Sequence, residues 1–139
     1  MAEMGKSFKE ILLEKTGEKE RPIRTEHIRN IVPLRENFIC NIYYLTCDTP
    51  NKPSWNFSDN QITELRESKK KRSFAIVFLT APDYGYLIYD YEIDKYLSDF
   101  PIVKGYYKIH ESYLRENVHI FRTIDELVCL LSDFRIKNE

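Results

Sequence analysis

The chain has only four glycines, and neither G-x-x-x-x-G-K-[ST] nor G-x-G-x-x-G occurs in it. Main-chain cradles for phosphate need glycine at fixed steps, because a side chain would keep the N–H groups from crowding around the anion. Nucleotide-driven and dinucleotide chemistry are therefore not expected, and no cofactor is assigned. Cysteine is scarce as well: Cys40, Cys47 and Cys129 are an odd number without a C-x-x-C pair. If Cys40 and Cys47 share a strand, they lie about 23 Å apart on opposite faces, too far to bridge or to share a metal. Reduced, mostly buried thiols in a reducing, cytoplasmic compartment are the expectation.

Long apolar runs are also missing. The longest, residues 74–79 and 127–131, are six and five residues, where a spanning helix needs about 20. The first 19 residues mix charges and lack the apolar segment of a signal peptide. Neither export nor a membrane partner is expected. An excess of one charge is absent too: 21 Lys and Arg against 22 Asp and Glu leave a net charge of −1. No global field draws the protein to nucleic acid, lipid or acidic substrate, so any such attraction is local.

Familiar catalytic spacings fail one by one. The fourth residue after His110 is Leu114, so no H-E-x-x-H zinc site exists, and no G-x-S-x-G elbow occurs. Pro82, Asp83, Glu92 and Lys95 spell part of the PD-(D/E)-x-K nuclease pattern but end in E-x-x-K. Asp83 and Glu92 are separated by about 30 Å of extended chain, so no metal site is expected there. His110 and Ser112 form one H-x-S unit, and His119 does not begin a second.

What is present is a globular composition of 139 residues, 42% apolar and 31% charged, sized for one folding unit. The expected organisation is an N-terminal helix and charged connector over 1–35, followed by a single core domain over 36–139. Ser7 and Glu10 make a capping box for a helix over 8–16 that stops at Gly17. Residues 18–35, broken by Pro22 and Pro33, read as connector, and the β-branched and aromatic run 38–47 as a strand. After a proline-containing loop at 48–56, Ser58 and Gln61 form a second capping box, with Phe57 and Ile62 as its hydrophobic staple. That predicts a helix over 59–67.

Residues 73–80 and 84–91 predict a hairpin around Pro82 and Asp83. Asp90 is placed to cap a short helix stopped by Pro101, residues 102–109 and 118–122 predict strands, and 110–117 a polar connection. Thr123 and Glu126 start a last helix whose Ile124, Leu127, Val128, Leu131 and Phe134 recur at helical spacing. The fold class is α+β: a mixed sheet of four to five strands covered by helices, in the order α-β-α-β-β-α-β-β-α.

Two features bear on function. Arg66, Lys69, Lys70, Lys71 and Arg72 cluster at the end of the second predicted helix, where cations either complement the helix dipole or contact phosphates. Tyr84, Tyr86, Tyr89 and Tyr91, then Tyr106 and Tyr107, are either core or a stacking platform. The expectation is a non-catalytic binding module, holding DNA or RNA through Arg66, Lys69, Lys70, Lys71 and Arg72, with Tyr84, Tyr86, Tyr106 and Tyr107 stacking on bases. The first alternative is a protein-binding accessory or inhibitor, basic at 66–72 and acidic at 90–99, steered to a protein partner by that dipole. The second is a metal-independent nuclease or phosphodiesterase built from His110, His119, Tyr113 and Arg115.

Overall fold

The computed structural model describes residues 2–22, 25–47 and 52–136. Helix α1 (Ala2–Thr16) precedes strands β1 (Ile31–Leu34), β2 (Cys40–Thr46) and β3 (Ser54–Ser58) and helix α2 (Asp59–Lys69). The hairpin β4 (Phe74–Ala81) and β5 (Tyr84–Tyr89) leads through a 3₁₀ turn at Asp90–Glu92 to α3 (Ile93–Leu97). A second hairpin, β6 (Ile102–Val103) and β7 (Tyr106–His110), is followed by α4 (Glu111–Asn117), β8 (His119–Phe121) and α5 (Ile124–Leu130).

Five strands form a mixed sheet in the order β1-β2-β4-β5-β8, and β3-β7-β6 form a separate antiparallel one. Strands β2 and β4 are parallel, since β3 and α2 carry the chain back across one face between them; the other pairings are antiparallel. β4 lies in the middle, and residues 74–79 are all buried because both faces of that strand are covered. Ala75, Val77 and Leu79 pack with Phe8 and Leu12 of α1 and Ile124 and Leu127 of α5. Phe74, Ile76 and Phe78 pack on the opposite face with Trp55, Phe57, Ile62, Leu65 and Ile109. The molecule is thus an α+β fold of a central sheet with helices on one side and the small sheet and α2–α4 on the other. None of its described helices is long and apolar enough to cross a membrane.

Several local signals operate as expected. Ser58 Oγ accepts the Gln61 N–H at 3.3 Å, and the Gln61 side chain accepts the Ser58 N–H at 2.9 Å. Phe57 and Ile62 are both buried beside this cap. Gly17 ends α1 with φ of +69°. Cys40 and Cys47 are buried in opposite cores, as their spacing requires.

Other readings are corrected. Helix α1 begins at Ala2, so Ser7 lies inside it and caps nothing. Gly5 is tolerated there because Tyr44 packs on it: a Cβ would sit 2.8 Å from the Tyr44 ring. Thr123 accepts the Glu126 N–H at 3.1 Å, but Glu126 returns its bond to the Arg122 N–H, one residue before the cap. Asp90 is not a cap; it is buried and accepts the Phe74 N–H at 3.2 Å. The connector contains β1, the loop before Ser58 contains the start of β3, and the polar stretch 110–117 is mostly α4. Residues 102–109 are not one strand, because Lys104 and Gly105, with φ of 54° and 84°, turn the chain into the second hairpin.

Candidate anion-binding site

The basic cluster does not act as one patch. Arg66 is ion-paired to Asp94. Lys70 reaches Glu67 at 3.1 Å, and Lys69 Nζ lies 4.0 Å from the buried Asp90 carboxylate. Asp90 and Asp94, after β5, thus serve as partners for Arg66 and Lys69 in the last turn of α2, and these charges offset each other within the molecule. Exposed ion pairs of this kind contribute about 0–1 kcal/mol each. Their consequence is to leave Lys71 and Arg72 as the members of the run that have no carboxylate within 4.0 Å among the described residues.

A third cation joins these two from a distant part of the chain. Arg35 follows β1, and the antiparallel β1–β2 pairing brings it beside the start of β2. Its Nη2 donates to Asn41 Oδ1 at 2.7 Å and its Nη1 to the Leu34 carbonyl at 3.0 Å. Asn41 is in turn paired with Phe74, just beyond Arg72. Arg35, Asn41, Ser68, Lys71 and Arg72 therefore line one open cavity of about 450 Å³, with Ile28, Ile31 and Leu65 as part of its apolar wall.

The lining of this cavity carries Arg35, Lys71 and Arg72 against Glu64 and Glu67, one cation in excess. Burial lowers the pKa of the Arg35 guanidinium, and the nearby Arg72 and Arg21 charges lower it further by repulsion. The Glu18 carboxylate offsets part of this repulsion, Arg35 stays protonated at neutral pH, and an anion placed between the cations would offset more of it. Two carboxylates also line the cavity, but both are engaged. Glu67 holds Lys70. Glu64 accepts the backbone N–H groups of Glu26, His27 and Ile28 at 2.6, 3.1 and 3.0 Å. Burial raises the Glu64 pKa, but these three donors outweigh it and hold the group below its ordinary value.

The tyrosines divide by face. Tyr86 is fully buried, its ring against Trp55 and its hydroxyl donating to Glu111 at 2.9 Å. It is unavailable for stacking, because β5 is a central strand covered on both sides. Tyr84 is half-buried edge-on to Tyr86, beside Ala81 at the far end of the hairpin. Seven residues of β4 separate that end from the cavity, about 23 Å. Tyr107 is half-buried on Phe57, with its hydroxyl bonded to Asp59. Tyr106, half exposed, is the member of the four presented most openly to solvent. It pairs with Ser58 at the start of α2, about 16 Å along that helix from the cationic end.

Of the histidine constellation, His110 and Arg115 line one open cavity of about 280 Å³ with Glu111 and Ser112, while His119 and Tyr113 are not part of that lining. His119 faces Glu92 at 3.3 Å, Tyr113 donates to Asp99 at 2.7 Å, and Arg115 is held by Glu111 at 2.9 Å. His110 pairs with Ser54 at the other end of α4 from His119. Asp83 and Glu92 lie beyond opposite ends of β5, and no group of His, Cys, Asp or Glu among the described residues is arranged to hold a metal ion. Arg35 and Asn41 are the residues of this cavity that sequence reasoning passed over, because strand pairing between distant segments, not a local signal, brings them there.

Comparison with known proteins yields no matching family model, no matching curated protein and no matching solved structure.

Proposed function

We propose that this protein is a non-catalytic binding module for nucleic acid, holding the phosphate backbone at Arg35, Lys71 and Arg72. The observation that carries the reading is the convergence of these three cations, none with an ion pair among the described residues, on one open cavity with Asn41 and Ser68 as additional polar groups and with Glu64 and Glu67 engaged elsewhere. Guanidinium groups present fixed forks of donors that match phosphate oxygens, and Lys71 adds a mobile point charge. The net charge of −1 makes the attraction local and short-ranged, so affinity falls steeply as salt rises. The buried thiols Cys40 and Cys47 fit a reducing, cytoplasmic setting, which belongs to the same proposal.

Fluorescence anisotropy of a labelled single-stranded oligonucleotide tests the reading across a salt series. Three phosphate contacts give a slope of about −2 in log K against log salt, and each cation removed reduces its magnitude by about 0.7. R35A, K71A and R72A are the variants to compare, with K70A as a control whose partner is Glu67. Absence of binding at low salt, or equal loss in K70A and R72A, overturns the proposal. The dipolar protein-docking alternative loses its main support, because Arg66–Asp94 and Lys69–Asp90 bring the opposed charges together internally.

A further inference from the structure

The small sheet has an outer face that the core does not use. Along β7, Tyr107 and Ile109 point inward, Ile109 with no exposure, while Tyr106, Lys108 and His110 alternate onto the other side. Register places Asn56 opposite Lys108, and Ser58 and Val103 opposite Tyr106. Tyr106, Lys108, Asn56, Val103 and the hairpin-tip Lys104 enclose a shallow depression of about 390 Å³. Tyr106 is 50% exposed. Among the described residues it packs on no other aromatic ring, and neither lysine has an ion-pair partner. Lys104 also occupies a left-handed conformation, φ 54°, where asparagine or glycine costs less.

Resting on the proposed function above, we infer that this face stacks an unpaired base on Tyr106, with Lys104 and Lys108 on the flanking phosphates and Asn56 at the base edge. An exposed ring between uncompensated cations is complementary to a base with its backbone. In a duplex each base is already stacked on both sides, so the surface selects single-stranded segments.

Anisotropy with two short labelled probes of equal length, an oligothymidylate and its abasic counterpart, separates stacking from charge. Y106A is exposed and leaves the inward face of β7 intact. It is expected to weaken oligothymidylate binding about tenfold and abasic binding less than about twofold. Y106W, which keeps a stacking ring, retains the wild-type preference. Unchanged oligothymidylate affinity in Y106A, or an equal loss on both probes, overturns the stacking assignment while the backbone-binding reading stands. Failure of the wild-type protein to bind either probe removes both.

Discussion

Replacing Glu18 by alanine is the perturbation whose cost can be worked most directly. Its carboxylate is buried and accepts four successive backbone N–H groups: Arg35 at 2.7 Å, Glu36 at 2.8 and 3.0 Å, Asn37, and Phe38 at 3.2 Å. This clasp ties the end of α1 to the turn between β1 and β2. In E18A, water can replace the acceptor for the exposed Glu36 and Asn37. The Arg35 and Phe38 N–H groups are less accessible, and a buried donor left unpaired costs about 1–3 kcal/mol. The expected loss is about 2–4 kcal/mol, a large part of the 5–15 kcal/mol typical of a domain. Urea unfolding followed by the fluorescence of the single, buried Trp55 reads this as a midpoint lowered by about 1–2 M at unchanged slope. The acid limb carries a second readout. Burial raises the Glu18 pKa, but the four donors outweigh it and hold the group below its ordinary 4.5. A depressed folded-state pKa gives stabilisation that is complete above the unfolded value and is lost as pH falls through the folded one. Wild type should therefore lose stability below about pH 4.5, and E18A should lose less over the same interval. A midpoint shift worth under about 0.5 kcal/mol would refute the reasoning, since water would then serve all four donors as well as the carboxylate does.

Two further substitutions test the architecture and its cost. A Cβ at Gly85 would lie 2.2 Å from the Phe78 carbonyl oxygen, so G85A should push β5 from β4 and cost more than about 2 kcal/mol; a near-neutral result by urea unfolding would show that the hairpin yields easily. K104N should relieve part of the left-handed strain, raising stability by about 0.5 kcal/mol, while weakening oligonucleotide binding in the anisotropy assay. Unchanged binding would contradict the role given to that lysine, and a loss of stability would contradict the strain argument.

Where the structure follows the sequence, the determining interactions are local. The Ser58 capping box needs only Gln61, three residues away, and Gly17 ends α1 through its own backbone freedom. The β4–β5 hairpin needs the short turn around Pro82 and Asp83, and the apolar run in β4 marks a strand buried on both faces. Misreadings arose where a partner was distant. β1 contains Pro33, which reads as a break, yet it forms an edge strand, the position at which a missing N–H is tolerated. β3 follows a loop and takes its identity from β7, some fifty residues later. Ser7 satisfied a capping pattern, but helix already present on its N-terminal side left it nothing to cap.

The sequence by itself thus determined the α+β class, the two buried cysteines on opposite faces, the absence of familiar catalytic spacings, and the existence of a basic run and a tyrosine-rich strand. Which cations are available, and which rings, was decided only by the tertiary structure. Arg66, Lys69 and Lys70 look equivalent to Lys71 and Arg72 along the chain, but the first three meet Asp94, Asp90 and Glu67. Arg35 joins Arg72 because β1, β2 and β4 are neighbours, a relation set by strand pairing across some forty residues. Tyr86 and Tyr106 are the same residue type in similar strands. One lies in a sheet covered on both faces and the other in a sheet covered on one, so burial, and with it any capacity to touch a ligand, follows from packing between elements rather than from the residue itself.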